Sequence, residues 1–453
     1  METAGARVVM DQGKANGTDP SSRDFTRRYS LDYYMETNMP NKKFLWMIFG
    51  LSCLMTLGFV RMGSNYDNVV TLIHTPVRKL MSSFSPDVLA EPLPRFYTLP
   101  IPRTMSIEDS SNASNQKLTK PVHHIAFIKV HKAASTTVQN IFLRYGYDND
   151  LVFALPRTGS TISVRQTISP NNILPPPPNR GYDISCSHVR YNREAFEQLL
   201  PNDTKYFGIV REPFRHFQSN LQYYRQGYIV RIPGERPVLE YLLHNDKYMK
   251  FGGQIPSTYN RMAFDFGFPD ELFWSNNRTE IDKYISKLDN EMDLVIVTEY
   301  FDESIVMMRR ILNWDLKFVL YGKLNSKQKK DPRLIIGSEE ESLYRNWALI
   351  DYALYNYFLA KIKQKIKQQP PDFFDELAYF RKTKTKFNSF CISALSDGPS
   401  DMAFEGSQWN KPFVITRDQC KHVYIREIPF YGELREERLF QIYKETNNLS
   451  DVT

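Results

Sequence analysis

An apolar run, a short polar turn and a helical repeat follow one another in residues 124–145, and they constrain the fold of this chain most. The run Ile125–Val130 has the length and composition of a buried strand. Beyond the turn, apolar side chains recur at helical spacing, at Val138, Ile141, Phe142 and Tyr145. α/β proteins hold anionic groups at such a junction, because the unpaired N–H groups and the dipole of a helix N-terminus favour negative charge.

The side chains of this turn favour the same interpretation. Lys132 adds a full positive charge, and Ser135, Thr136 and Thr137 add hydroxyl donors. The turn is not a Walker A loop, because it lacks the glycines of that motif and its lysine precedes the small residues. An ordinary strand–turn–helix with Ser/Thr capping is the alternative that these residues alone leave open.

Strand-like and helix-like segments alternate along the chain after this turn. The predicted strands are Ile125–Val130, Tyr182–Ser187, Tyr206–Val210 and Leu294–Thr298. The predicted helices are Thr136–Tyr145, Arg193–Leu200, Pro213–Tyr228, Asp302–Asn313 and Glu339–Lys361. This alternation predicts an α/β fold with a mainly parallel sheet flanked by helices.

Two less regular regions complete the predicted globular part. Ser169–Gly181 contains four consecutive prolines at 175–178 and predicts a surface loop that could cover a site. Residues 366–453 are less periodic than the rest. We expect them to form a C-terminal region packed on the catalytic domain and not a separate enzyme.

A second group of polar residues follows the predicted strand Tyr206–Val210. Arg211 leaves this strand, and Pro213 suits the first turn of the next helix. Ser219 lies about two turns into that helix, so Arg211 and Ser219 could converge on one phosphate group. A solvent-facing arginine and a surface serine are the simpler alternative.

A histidine ends another predicted strand. His188 stands at the carboxyl end of Tyr182–Ser187, where α/β folds place their ligands. A histidine there can act as a general base near neutral pH. A polar strand end without a catalytic role is the alternative. No Cys/His spacing in the sequence indicates a metal site, and we predict none.

The N-terminal part predicts a membrane anchor. Residues 44–60 are uncharged and span roughly 25 Å as a helix, which is short for a transmembrane segment and suits an early secretory or Golgi membrane. Arg27, Arg28, Lys42 and Lys43 precede this segment and predict a cytosolic N-terminus. A signal peptide and a buried core helix are the alternatives, although the long preceding segment and the absence of a clear cleavage site disfavour a signal peptide.

The rest of the chain would then be luminal, and its composition is compatible with that location. Acceptor sequons begin at Asn112, Asn202, Asn277 and Asn448, while the one at Asn16 would be cytosolic and unmodified. Of the luminal cysteines, Cys391 and Cys420 are the better pair, since Cys186 lies in a predicted buried strand. The net charge of +7 suits an anionic ligand or a membrane surface, and without a long basic run we predict no nucleic-acid partner.

These motifs occur with further blocks in an order that resembles the galactose 3-O-sulfotransferases. The matching blocks are FIKVHKAASTTVQNIFLRYG, CSHVRY, IVREPFRHFQSN, RMAFDFGF, DLVIVTEYFDES and YGKLN, which span residues 127–325. The chain departs from the family pattern at Ser187, Val189 and Tyr191, and in its long polyproline loop. None of the three substitutions removes a catalytic group, but we expect them to alter the fit of the acceptor.

The resemblance implies a P-loop-like sulfotransferase fold and a Golgi enzyme that uses 3′-phosphoadenosine 5′-phosphosulfate (PAPS). It implies that the 5′-phosphosulfate is bound by Lys132, Ala133, Ser135, Thr136 and Thr137, and the 3′-phosphate by Arg211 and Ser219. His188 would be the general base, and Lys132 would stabilise charge on the leaving oxygen. The domain prediction is a cytosolic tail (1–43), a signal anchor (44–60), a luminal stem (61–121), a catalytic domain (122–365) and a C-terminal region (366–453).

The predicted activity is transfer of sulfate to the 3-hydroxyl of galactose on a glycolipid or glycan. Another carbohydrate sulfotransferase acting on a glycosaminoglycan is the alternative within the same class. A catalytically inactive, membrane-anchored glycan- or nucleotide-binding protein and a P-loop kinase are rivals from other classes. The sequence leaves the oligomeric state open, with a homodimer as one option.

Overall fold

A computed structural model describes residues 120–248, 255–322 and 331–446 of the chain. The predicted cytosolic tail, the hydrophobic segment 44–60 and nearly all of the predicted stem lie outside the described residues. Among the helices that are described, none combines the length and apolar character needed to cross a membrane.

A four-stranded parallel sheet forms the centre of the described chain. Its strands are β1 (Ile125–Phe127), β2 (Ile184–Ser185), β3 (Lys205–Val210) and β4 (Leu294–Val297), in the spatial order β2-β1-β3-β4. The strands consist almost wholly of buried residues, as expected for a parallel sheet covered on both faces by helices. The predicted α/β class and the position of all four predicted strands are confirmed.

Helices fill the connections and cover the sheet. In chain order, the helices are α1 (Ser135–Asp148), α2 (Arg193–Glu197), α3 (Pro213–Tyr224), α4 (Gly227–Val230), α5 (Pro237–Leu243), α6 (Asn245–Tyr248), α7 (Arg261–Asp265), α8 (Leu272–Ser275), α9 (Arg278–Glu291), α10 (Phe301–Leu312), α11 (Leu316–Val319), α12 (Ser338–Trp347), α13 (Leu349–Lys367), α14 (Asp372–Ala394), α15 (Arg417–Tyr424) and α16 (Glu427–Thr446). An antiparallel hairpin, β5 (Asp401–Phe404) and β6 (Phe413–Thr416), lies between α14 and α15.

Two helices predicted as continuous are interrupted. The prediction of one helix over Pro213–Tyr228 was wrong, since Arg225 adopts a left-handed conformation (φ 45°) and ends α3. The prediction of one helix over Glu339–Lys361 was also wrong, because the chain leaves helical geometry at the buried Ala348. Both breaks follow tertiary packing. The segment before Ala348 packs on α3 and α5, and the segment after it packs on β4 and α7.

The C-terminal region packs against the sheet and its helices. Helix α14 contacts α10, where the buried carboxylate of Glu376 pairs with Arg309 and Arg310. A disulfide joins Cys391 of α14 to Cys420 of α15 across 29 residues of sequence, which confirms the predicted pair. Cys186 is a buried free thiol beside β2.

The polyproline segment is held down by the last helix. The side chain of Arg438 in α16 donates hydrogen bonds to the carbonyls of Phe153 and Pro175. A different part of the segment between α1 and β2 contacts His188. The N–H of Ile162, which precedes the prolines in sequence, donates to the His188 carbonyl (2.9 Å). The first of the four prolines therefore contacts α16, and Ile162 contacts the strand end that carries His188.

Candidate active site

The loop between β1 and α1 has an unusual backbone. Lys132 (φ 57°) and Ala134 (φ 59°) both adopt the left-handed conformation, and Ala133 between them is fully buried. Each such non-glycine residue costs about 1–3 kcal/mol, so the surrounding structure must hold the loop in this shape. The Ser135 hydroxyl donates to the Val130 carbonyl (2.5 Å) and closes the loop at its base. Alternating backbone conformations of this kind turn successive N–H groups toward one point and create a concavity suited to an anion.

The first turn of α1 continues this concavity. No side chain caps the helix at Ala134, among the residues that the structure describes. Thr136 and Thr137 lie in this turn and are half-buried. The predicted strand–turn–helix is confirmed. The N–H of Thr137 donates to the Ala134 carbonyl (3.1 Å), and no side chain of the described residues caps the N–H groups before it, as in helix N-termini that bind anions.

Lys132 and Arg211 meet at this loop. The Arg211 guanidinium donates to the Lys132 carbonyl (3.1 Å), and the Lys132 ammonium lies 3.5 Å from the centre of the Tyr223 ring. Burial lowers the pKa of Lys132 to about 8, and the neighbouring charges of Arg211 and Lys129 lower it in the same direction. The two predicted cationic residues are thus brought to one place, as ligands of a common anionic molecule require.

Helix α3 presents one face to the loop. Glu212 caps its N-terminus by accepting hydrogen bonds from the N–H groups of Phe214 and Arg215, with Pro213 in the first turn. His216 Nε2 donates to the His131 carbonyl (2.7 Å), and Tyr223 lies under Lys132. Ser219 follows His216 by three residues and precedes Tyr223 by four, so it lies on the same face of α3.

His188 lies beside the loop with its ring orientation fixed. Its Nδ1 is 2.9 Å from the Lys129 carbonyl. Because a carbonyl oxygen only accepts, Nδ1 carries the proton and Nε2 keeps a free lone pair. Burial lowers the pKa of His188 well below its ordinary value of 6.5, and the adjacent His131 and Lys129 lower it further. The ring is therefore neutral at neutral pH and able to accept a proton.

A second histidine stacks on the first. The rings of His131 and His188 lie 3.8 Å apart and nearly parallel. Asp265 holds His131, because its Oδ2 accepts from the His131 N–H (2.9 Å) and lies 2.8 Å from Nδ1. Arg261 pairs with the other oxygen of Asp265 (2.9 Å). Burial acts to raise the pKa of Asp265, but the charges of Arg261 and His131 outweigh it and lower the pKa overall.

Sequence reasoning assigned no role to Lys129, Arg261 or Asp265. The spacing of Arg261 and Asp265, four residues apart in the RMAFDFGF block, suits an ion pair on one helix turn and was the available signal. Helix α7, which carries this pair, is fixed by the buried Asp351, whose carboxylate accepts from the N–H groups of Met262 and Ala263. Within the described ranges, no three His, Cys, Asp or Glu side chains cluster as ligands of a metal ion would.

The ends of three parallel strands therefore define an α/β protein with a cationic, histidine-containing site at the carboxyl edge of its sheet. Residues 70–403 match the profile of the family described as Galactose-3-O-sulfotransferase, and the chain belongs to this family. The resemblance inferred from the sequence motifs is confirmed.

Similarity to individual relatives is moderate. Galactose-3-O-sulfotransferase 3 of Mus musculus is 33% identical over 248 residues, which cover 53% of this chain and 57% of the relative. Galactosylceramide sulfotransferase of Mus musculus is 30% identical over 288 residues, which cover 60% of this chain and 65% of the relative. Galactose-3-O-sulfotransferase 2 of Mus musculus is 27% identical over 286 residues, which cover 60% of this chain and 70% of the relative. The similarity to the first two spans less than two thirds of their length.

Proposed function

We propose that this protein transfers a sulfuryl group from PAPS to the 3-hydroxyl of galactose on a glycolipid or glycan. The observation that carries the proposal is the meeting of the Lys132 loop, Arg211 and a neutral His188 at one edge of the sheet. Membership of the family and similarity to relatives that include a galactosylceramide sulfotransferase support galactose as the acceptor sugar. The parallel sheet and the loop before α1 support the P-loop-like sulfotransferase variant of the α/β class.

The donor has two anionic ends, and the site offers cationic groups from two elements, the loop before α1 and the residue that precedes α3 by two positions, Arg211. The loop of Lys132 and Ala133, with the hydroxyls of Thr136 and Thr137 after it, suits the 5′-phosphosulfate because its left-handed backbone and the charge of Lys132 both favour an anion. Arg211 and Ser219 suit the 3′-phosphate, since a guanidinium can bind two phosphate oxygens at once. The Ser135 hydroxyl already donates to the Val130 carbonyl, so its contribution to the ligand would come from its N–H group.

The proposed reaction is an in-line transfer. His188 Nε2 accepts the proton of the sugar hydroxyl while the hydroxyl oxygen forms a bond to sulfur. The bond between sulfur and the bridging phosphate oxygen breaks, and adenosine 3′,5′-bisphosphate leaves with the bonding electrons. The Lys132 ammonium and the loop N–H groups stabilise the negative charge that develops on that oxygen. His131, held by Asp265, fixes one face of the His188 ring by stacking.

Transfer of ³⁵S-labelled sulfate from PAPS to a panel of acceptors tests this proposal. The panel holds galactosylceramide, lactosylceramide, N-acetyllactosamine and desulfated glycosaminoglycans. We expect labelled product with at least one galactose-terminated acceptor and loss of labelling when the galactose 3-hydroxyl is methylated. Labelling of glycosaminoglycans alone would assign the enzyme to another acceptor class. Binding of PAPS without transfer to any acceptor would indicate a binding protein.

Arg211→Ala is expected to weaken binding of PAPS by about 1.5–3 kcal/mol, because it removes a charge-assisted hydrogen bond to phosphate. Isothermal titration calorimetry with adenosine 3′,5′-bisphosphate, which keeps the 3′-phosphate but cannot react, measures the loss. Arg215→Ala is the matched control, since Arg215 is exposed on the same helix. Equal affinity of wild type and Arg211→Ala would remove Arg211 from the donor site.

We also propose a single-pass Golgi membrane location with a luminal catalytic domain. The apolar segment 44–60 and the basic residues before it support this orientation. The side chains of two sequon asparagines, Asn202 and Asn277, are exposed and thus accessible to glycosylation.

Glycosidase treatment after protease protection of intact microsomes tests the orientation. We expect protected protein to lose mass on removal of N-glycans at Asn112, Asn202 or Asn277, because these positions would face the lumen. Substitution of each asparagine by glutamine identifies the occupied sites. A glycan at Asn16 would reverse the orientation and contradict the proposed location.

A further inference from the structure

The last described helix touches the site from outside the family match. The match ends at residue 403, whereas α16 begins at Glu427. Two residues of its first two turns, Glu427 and Tyr431, make polar contacts with residues around the candidate base and the donor loop. The proposed reaction uses no residue of this helix directly.

Glu427 forms an ion pair with Lys129. Lys129 follows β1, and its side chain is completely shielded from solvent. A buried ammonium without a partner is strongly unfavourable, so the Glu427 carboxylate is what allows a charged lysine at this position. The backbone carbonyl of the same Lys129 accepts the hydrogen bond that fixes the ring of His188. Glu427 therefore holds the side chain of Lys129, the residue whose carbonyl orients the His188 ring.

Tyr431 makes a second connection, one helical turn further along α16. Its hydroxyl accepts from Gln139 Nε2 (2.6 Å) and lies 2.6 Å from the Ser187 hydroxyl. Gln139 belongs to α1, the helix that starts at the donor loop, and Ser187 immediately precedes His188. All three side chains are buried. Tyr431 thus links the helix of the donor loop to the strand end that carries the base.

We propose that Glu427 and Tyr431 are positioning residues that fix the position of the His188 ring relative to the donor loop. This inference rests on the proposed function, because it gives the two residues a role in the same reaction. Glu427 also supplies the carboxylate that faces the buried ammonium of Lys129. Burial lowers the pKa of Lys129, and the Glu427 carboxylate acts in the opposite direction, so it favours the charged form of this lysine. The C-terminal region would then be part of the working site and not only a cover for the sheet.

Glu427→Gln and Tyr431→Phe test this role in the full-length enzyme, with Glu436→Gln as the matched control because Glu436 is exposed on the same helix. We expect Glu427→Gln to lower kcat by about tenfold or more while KM for PAPS and the affinity for adenosine 3′,5′-bisphosphate stay within about twofold, because a misplaced base affects turnover and not donor binding. Tyr431→Phe is expected to lower kcat in the same direction.

A measurement that needs no turnover accompanies the kinetics. Deuterium exchange at the C2 position of His188, followed by mass spectrometry, depends on the surroundings and protonation of that ring. We expect its rate to change by about threefold or more in Glu427→Gln and Tyr431→Phe, and to be unchanged in Glu436→Gln. Circular dichroism checks folding. If Glu427→Gln fails to fold, Tyr431→Phe, which keeps the ring, decides the question.

The outcomes separate this proposal from the function on which it rests. Folded Glu427→Gln and Tyr431→Phe enzymes with wild-type kcat and wild-type exchange at His188 would overturn the positioning role. An equal fall in kcat and in donor affinity would also overturn it, because general damage to the site would then explain the loss. A wild-type protein that transfers no sulfate would refute the proposed function, and the exchange measurement would still decide whether α16 controls the His188 ring.

Discussion

His188→Ala is expected to lower kcat/KM for sulfate transfer by about 10²–10⁴, the usual contribution of a general base. Donor binding should be preserved, because the proposed donor ligands lie on the β1–α1 loop and around α3. His188→Asn is the more informative variant. An asparagine can retain a hydrogen bond to the Lys129 carbonyl through its side-chain N–H, but it has no basic nitrogen. We therefore expect it to be as inactive as the alanine variant.

The pH profile gives an independent test of the same residue. His188 works as a base only when neutral, so activity should rise with pH through its pKa. Burial lowers that pKa well below 6.5, and we expect the ascending limb of kcat/KM below this value. Both variants should lack this limb. An unchanged limb with near-wild-type turnover in a folded His188→Asn enzyme would move the base elsewhere, with the stacked His131 as the next candidate.

Lys132→Ala is expected to lower kcat by about 10²–10³, the effect of removing one group that stabilises a developing oxyanion. The affinity for adenosine 3′,5′-bisphosphate should fall less than kcat, because the charge on the bridging oxygen grows only as the bond to sulfur breaks. Steady-state kinetics measures the loss of kcat, and calorimetry on the same preparation measures the loss of affinity for adenosine 3′,5′-bisphosphate. Lys363→Ala is the control for loss of a lysine, since Lys363 is exposed on α13.

Lys132 should also determine the pH above which kcat/KM falls. Burial and the neighbouring Arg211 lower the pKa of Lys132 to about 8, so the free enzyme loses this charge above that pH and kcat/KM should fall. Lys132→Arg keeps the charge at all these pH values, and its descending limb should move upward. A Lys132→Ala enzyme with wild-type kcat and only weaker donor binding would show that the lysine binds the donor and takes no part in the transition state.

Local patterns predicted the parts of this protein that depend on neighbouring residues. The apolar run before Lys132, the helical repeat after it and the proline at position 213 led to the correct strand, loop and helix starts. The breaks at Arg225 and Ala348 were not predictable in this way, because both segments have helical periodicity throughout. Packing of the flanking segments against different neighbours ends these helices, and periodicity carries no information about it.

The sequence by itself determined three local features: a strand–loop–helix that contains Lys132, a strand that ends at Arg211 and a strand that ends near His188. Because the strands are parallel, their carboxyl ends lie at one edge of the sheet. Only the tertiary structure decided which residues support them. His131 meets Asp265 across 134 residues, and Lys129 meets Glu427 across 298. Hydrophobic periodicity depends on residues within a few turns of each other. Pairs so far apart are chosen by how whole helices pack on the sheet, and the low dielectric of the packed interior then makes a partner for each buried charge necessary.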